Sequence, residues 1–301
     1  MVRFTEQDGQ SVAQIVGHIP VGLDDMRVVH SIGVTENYVI LPRLSLRAIL
    51  NSTTHVCSNI KFDHRTPTVM HVMSLTDGSY KSFEFPPFIS VHIINSFERI
   101  NSDGDVEVVV DYPTLTTTHD FPDHYCYYEI LNVDQILDDN FRYRDEWRPL
   151  TDVTLRRFVM NMRTGARHVL DHPQMWTPPI GLYLDFPNMN DLYRGRAFCY
   201  VYLHSIQWDN RNAMGILKVD LCKQRSWSWD DLNLFPVEPI FVPRPGAVEE
   251  DDGVLMAPVY DTRSGKSELY VWNATDLKVI ARVTTSVRVP WTNHGLWVPE
   301  E

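Results

Sequence analysis

Apolar and polar residues alternate with a period of two along most of the chain, and turn-forming residues interrupt the alternation at intervals. Four stretches share one layout: an alternating strand, a turn built on Asp, Asn, Gly, Thr or Ser, a second strand, then a proline-flanked apolar strand. HVMSLTDGSYKSFEF leads into PPFISVHIINSFE, RRFVMNMRTGARHVL into PPIGLYLDFPNMN, GILKVDLCKQRSWSW into FPVEPIFVPRP, and ELYVWNATDLKVIARV into VPWTNHGLWVP. Alternation around a DG, TG or NAT turn predicts a β-hairpin. Hairpins recurring at about 50–60 residues predict an all-β fold of the β-propeller class, whose blades repeat at roughly 40–50 residues.

Each proline-flanked strand is expected to hold one polar residue in its apolar run: His92, Asp185, Glu238 and His294 in turn. The last three are spaced by 53 and 56 residues, and His30, in VVHSIGVTENYVILP, lies 62 residues before His92. The wider gap of 93 residues from His92 to Asp185 coincides with an irregular acidic stretch, about 111–148. That stretch reads as an insertion over one face and includes a short helix candidate, VDQILDDNFRYRDEW. The innermost strands of a propeller line its axis. One polar residue from each would meet the others there, so three imidazoles and two carboxylates predict a metal site. Imidazoles suit iron, zinc or copper, and carboxylates that accept the other ring N–H fix each tautomer. A histidine in a strand is more commonly a satisfied core or surface residue. The nine other histidines of the chain lack this shared context and are assigned nothing.

Composition narrows the function classes. The 301 residues suffice for one large domain, and 44% apolar with 22% charged residues is ordinary for a globular protein. A formal net charge of −12 argues against a nucleic-acid partner, which needs clustered Lys and Arg. The four cysteines, Cys57, Cys126, Cys199 and Cys222, show no CxxC spacing, so neither a disulfide framework nor a zinc site is expected and a reducing cytoplasm is the default location. No apolar run reaches the roughly 18–20 residues of a membrane span, and the first residues do not form a signal peptide. Trp147, Trp176, Trp208, Trp227 and Trp229 could line a tunnel, although packing between and under loops is the simpler role for each.

At the same residues the chain resembles the carotenoid cleavage oxygenases. HSIGVTENYVI looks like the family's HSFGxTxNYxV segment and HIINSFE like its FHxxNxYE segment, which makes His30 and His92 iron ligands. VEPIFVPRPGAVEEDDGVLM is close to SEPIFVxxPxAxEEDDGVxL and places a histidine-supporting glutamate at Glu238. VPWTNHGLWVP resembles the last blade, with the ligand at His294, and LDFPNMN resembles EFPxIN with Asp185 where a glutamate is usual. The resemblance implies a seven-bladed propeller of which about five blades lie within one domain, 1–301, with loop and short-helix insertions. It implies four ligating histidines, and no motif for the first is found upstream of His30. The chain is therefore expected to be an N-terminally incomplete fragment, inactive alone.

The chemistry so implied is cleavage of a carotenoid or apocarotenoid double bond by Fe(II) and O2, giving aldehydes of the retinal type. A lipid-dissolved substrate implies transient, peripheral membrane contact. Two other readings stand beside this one: a retinoid isomerohydrolase of the same family, and a propeller serving only as a binding scaffold.

Overall fold

The computed structural model of the chain describes residues 1–7, 10–22, 25–48, 60–115, 153–172, 182–207, 213–284, 289 and 294–298. The helix candidate at 133–147, Cys57, Cys126, Trp147, Trp176 and Trp208 lie outside these. Among the described residues every extended element is a strand, and Asp191–Tyr193 forms a short 3-10 turn. No helix is long and apolar enough to cross a membrane. Two compact units divide the chain. One comprises Met1–Val110, Thr116–Tyr143 and Phe158–Val169, the other Asp111–Leu115, Arg144–Arg157 and Leu170–Glu301.

The first unit opens with the hairpin β1 (Val2–Gln7) and β2 (Gln10–Ile15). There follow β3 (Gly33–Val34), β4 (Tyr38–Arg43), the ribbon β5 (Leu46–Ala48) and β6 (Ile60–Phe62), then β7 (Thr68–Ser74) and β8 (Tyr80–Phe85). Strands β3, β4, β7 and β8 form an antiparallel sheet in that order, the four-stranded meander from which propeller blades are made. Strand β8 is buried only at Phe83 and Phe85, the alternation its sequence predicts. A second four-stranded sheet takes β9 (Asn95–Ile100), β10 (Val106–Leu115), β11 (Val153–Asn161) and β12 (Arg167–Asp171) in chain order. In the first unit Phe158 stacks on Phe88 and meets Phe85 edge-on, with centroids 4.8 and 5.0 Å away.

The second unit holds a nine-stranded sheet: β13 (Leu182–Asn188), β14 (Tyr200–Gln207), β15 (Met214–Asp220), β16 (Arg225–Asp231), β17 (Leu234–Pro236), β18 (Ile240–Pro243), β19 (Gly253–Asp261), β20 (Lys266–Asn273) and β21 (Val279–Thr284). All four sequence-derived hairpins are present, as β7–β8, β11–β12, β15–β16 and β20–β21. Each turn needs one residue in the left-handed region. Gly78 (φ 72) and Gly165 (φ 77) supply it at low cost, while Gln224 (φ 52) and Leu277 (φ 59) take the same place in the other two. Gly253 answers a different need. A Cβ there would stand 2.3 Å from the Val242 carbonyl oxygen, across the β18–β19 ladder.

The core of this unit is aromatic. Trp272 is fully buried and meets Trp229 edge-on at 5.0 Å, and Tyr202 stacks on Phe241 at 5.6 Å. Trp229 is thus a packing residue. Lys218, in the middle of β15, is also buried: its ammonium binds Asp251 and the Thr275 carbonyl at 2.8 Å, and lies over the rings of Tyr200 and Trp227 at 4.5 and 4.9 Å. Ion pair and cation–π contacts together offset the loss of hydration.

One expectation is overturned. The scattered cysteines predicted no disulfide, yet Cys199 and Cys222 are bonded. They are 23 residues apart, and the antiparallel β14–β15 ladder returns the chain on itself so that their Cα atoms stand 5.2 Å apart. Spacing in sequence carries no trace of that.

Asp251→Ala leaves the Lys218 ammonium stranded, and about 3–5 kcal/mol of stability should be lost in urea unfolding. Adding Lys218→Met should recover most of it, because the cage then encloses an apolar chain. A double variant as unstable as the single one would show that the buried charge is not the cause.

Candidate metal centre

Two segments of the first unit bring His30 and His92 together. His30 stands three residues before β3 and His92 three residues before β9, both in backbone that belongs to no ladder. Three sets of bonds join the segments along their length. Ser31 Oγ donates to the Val91 carbonyl at 2.6 Å and Ser96 Oγ to the Val34 carbonyl at 3.0 Å. Glu98 accepts three hydrogen bonds, from Thr35 Oγ1 (2.6 Å), the Asn37 backbone N–H (2.7 Å) and Asn37 Nδ2 (3.0 Å). Beside the Ser31–Val91 bond the Nε2 atoms of His30 and His92 face each other at 3.2 Å, with the rings edge-to-face at 88°. Gly33 eases the approach, since a Cβ would fall 3.0 Å from Ser96 Oγ.

In the second unit the link between β17 and β18 carries Glu238. Pro239, which has no N–H to donate, helps to interrupt the ladder there. Glu238 Oε2 accepts from His294 Nδ1 at 3.1 Å and from the Gly295 N–H at 3.3 Å. A ring that donates from Nδ1 carries its lone pair on Nε2, so the carboxylate selects the tautomer that a metal requires. Phe186 meets the His294 ring edge-on at 5.4 Å. Its backbone is strained: φ is 51° in a residue that precedes a proline, where the β-bulge of β13 shifts the register between Asp185 and Asn188. Such strain costs of order 1–3 kcal/mol and persists only when its surroundings hold it.

Asp185 is buried within β13 and pairs in register with His204 of β14. It is the single member of the five predicted site residues that lies in a ladder. Sequence analysis put the other four inside strands, and the structure sets them in irregular backbone instead. A ladder aims a side chain perpendicular to its sheet, and the prolines at 86, 87 and 239 release the chain from that constraint. Burial also differs from expectation. His30 is exposed, His92 half-buried, and the His294 side chain 57% exposed, whereas Glu238 behind it is 12% exposed.

The most motif-like run, EEDDG at 249–253, turns out to be scaffold. Glu250 accepts from the backbone N–H groups of Cys199 and Tyr200, Asp251 binds Lys218, and Asp252 binds Arg244. Asn188 and Asn190, of the LDFPNMN run, bond to the Phe241 N–H and the Glu250 carbonyl at 2.9 and 3.0 Å. Sequence reasoning missed two groups. Glu98 and its donors Thr35 and Asn37 lie inside the two histidine motifs, and their polarity beside apolar neighbours was the available signal. His204 had none, because its partner sits on another strand.

The model of the family described as retinal pigment epithelial membrane protein matches residues 1–299. The chain belongs to this family, the carotenoid cleavage oxygenases. Among its relatives, carotenoid cleavage dioxygenase 8 of Arabidopsis thaliana is 29% identical over 279 residues, which is 91% of this chain and 47% of that protein. The carotenoid isomerooxygenase of Galleria mellonella is 30% identical, over 90% of this chain and 52% of that one. Human beta,beta-carotene 15,15'-dioxygenase is 26% identical, with shares of 90% and 52%. The chain thus spans about half the length of the curated relatives it matches. Among solved structures, a Synechocystis apocarotenoid oxygenase variant superposes with a TM-score of 0.71 at 21% identity, covering 91% of this chain and 53% of its own. The likeness assigns the β-propeller fold.

For a carotenoid cleavage oxygenase the donor set of the first unit suits a divalent transition metal. Two nitrogens each about 2.1 Å from a shared cation, the usual imidazole bond length, and 3.2 Å from each other subtend roughly 100° at it. That lies between octahedral and tetrahedral angles. The ring donors are those that iron, zinc and copper accept.

The buried His204 makes a prediction about pH. Loss of hydration pushes it down to about 4, partly opposed by the Asp185 carboxylate and by its bond to the Pro236 backbone. Burial pushes His71 of β7 down to about 4 as well, helped by the nearby Arg43 and Arg27 charges. Unfolded, both titrate near 6.5. Between those values the unfolded chain takes up protons that the folded chain refuses, so stability falls as pH drops from about 6.5 to 4, with a slope of order 1.4 kcal/mol per pH unit for His204. Urea unfolding between about pH 7 and 5 should show the decline, and His204→Gln should flatten it by about that slope. An unchanged slope would count against a neutral buried His204.

Proposed function

We propose that His30, His92 and His294 bind one ferrous ion in an enzyme that splits a double bond of a carotenoid or apocarotenoid with O2 and releases aldehydes. One observation carries the reading: two imidazoles from segments 62 residues apart present Nε2 to Nε2 at 3.2 Å, a separation that needs a shared proton or a shared cation between the lone pairs. The family of the chain and the motif positions of all three histidines support iron as that cation. A ferrous ion held by neutral imidazoles supplies electrons for chemistry with O2 and keeps coordination positions open.

The residues of this chain do the rest. Glu238 accepts from His294 Nδ1 and so directs the lone pair of the ring from Nε2. Phe186 presses on the same ring from its strained turn. Asp185, one residue earlier, is assigned to support of the histidine wall, with neutral His204 facing it across the ladder. A polyene offers no hydrogen-bonding groups, so its recognition depends on apolar contact, shape and exclusion of water. Because such a substrate resides in lipid, transient contact with a membrane surface belongs to the same proposal. The net charge of −12 disfavours nucleic acid.

Titration of chelator-treated protein with Fe(II) under anaerobic conditions should fill one site per chain. Glu238→Gln should weaken binding by about 10–100-fold, and His92→Ala by more, since it removes a donor rather than its support. The absence of a stoichiometric site, or full affinity in His92→Ala, defeats the metal assignment. Where turnover of a carotenoid is followed, aldehydes should appear with O2 uptake, stop on chelation and return with Fe(II). An alcohol product in place of a carbonyl would move the assignment to an isomerohydrolase.

A further inference from the structure

We infer that Glu98 is a positioning residue for the metal pair, acting through Thr35 and Asn37 to hold His30 against His92. The inference rests on the metal reading above and adds to it a residue that touches neither imidazole. The geometry is specific. Glu98 follows His92 by six residues, and Thr35 and Asn37 follow His30 by five and seven, so the carboxylate joins the two histidine segments at equivalent distances downstream of their rings. Its three acceptances use both oxygens, Oε1 for Thr35 Oγ1 and the Asn37 N–H, Oε2 for Asn37 Nδ2.

The bond at the upstream end is neutral: Ser31 donates to the Val91 carbonyl at 2.6 Å. Bonds to a carboxylate are roughly twice as strong as neutral ones, so Glu98 is the stronger end of the clamp. The space between is tight, because Gly33 already stands at the limit of approach to Ser96. If the downstream end is released, the two segments separate at β3 and β9, and the rings lose the 3.2 Å juxtaposition that a shared cation needs. Displacements of this kind cost metal affinity much as loss of a direct hydrogen-bonded partner does, about 10–100-fold.

Two measurements on the 301-residue chain test the inference. In metal-free protein the ring protons of His30 and His92, whose centroids lie 4.8 Å apart, should give an inter-ring nuclear Overhauser contact. Glu98→Ala should abolish that contact, and Glu98→Gln, which retains an acceptor oxygen, should preserve it. Asp105→Ala removes a carboxylate that is bound to Asn161 and Arg163 in the same unit. It should lower stability and leave the contact intact. Should Glu98→Ala fail to fold, Thr35→Val deletes the 2.6 Å bond at nearly constant shape and should weaken the contact in its place.

The second measurement is titration with Co(II). Glu98→Ala should bind about 10–100-fold more weakly than the unsubstituted chain, with Asp105→Ala unchanged. An inter-ring contact that survives in Glu98→Ala, or in Thr35→Val where that variant stands in, overturns the inference whatever the metal does. So does its absence from the unsubstituted chain. If the contact is present and Glu98-dependent but no Co(II) is taken up, the clamp stands and the metal reading falls.

Discussion

A carboxylate withdrawn from water has to be met by donors, and in this chain the donors come from segments that sequence keeps far apart. Glu98 meets Thr35 and Asn37, Glu238 meets His294 and Gly295, Glu250 meets the N–H groups of Cys199 and Tyr200, and Asp251 meets Lys218. Each of these bonds closes a loop of 33 residues or more. Loop closure costs entropy that grows only slowly with length, whereas an unmet buried charge costs several kcal/mol. The second quantity dominates. The carboxylates therefore determine which segments of neighbouring meanders lie against one another.

This placement matters most where the ladders stop. Strands hold their side chains at a set angle to the sheet, so groups that must point elsewhere are carried on irregular backbone just outside the strands. His30, His92 and Glu238 occupy such positions, and irregular backbone has to be stiffened by other means. Here the means are bonds between motifs: Ser31 to Val91, Ser96 to Val34 and Glu98 to the Thr35–Asn37 turn in one unit, and Asn188 to Phe241 and Asn190 to Glu250 in the other. The strained Phe186 is the same bargain in another form, a poor local conformation maintained by the bulge and ladder around it. Much of what makes the motifs recognisable is thus the set of bonds that joins one motif to another, with the histidines themselves a small part of each run.

The outline of the fold was readable from the chain because a hairpin is a local object. Alternation with period two and a turn residue at a fixed offset define it within about fifteen residues, which is why HVMSLTDGSYKSFEF and ELYVWNATDLKVIARV correspond to β7–β8 and β20–β21. The candidate site was readable at the level of residue identity for a related reason. His30, His92 and His294 sit in runs whose apolar neighbours make a polar group conspicuous. What escaped notice were groups whose partners are remote. Lys218 looks like the exposed residue of an alternating strand and is caged by Tyr200, Trp227 and Asp251. Cys199 and Cys222 look unrelated, and His204 looks like any strand histidine.

By itself the sequence determined the strands, their turns, the all-β class and the short roll of imidazoles and carboxylates able to hold a metal, all of which depend on neighbours within a few residues. Tertiary structure alone decided which carboxylate serves which donor, that the EEDDG acids are scaffold, that His204 is kept neutral by burial, and that four of the five site residues stand outside the ladders. The physical reason is common to all four. Hydration, charge pairing and ring orientation are set by whatever atoms lie within a few ångströms in space, and in an antiparallel β fold those atoms come from the next strand or the next meander, tens of residues away along the chain.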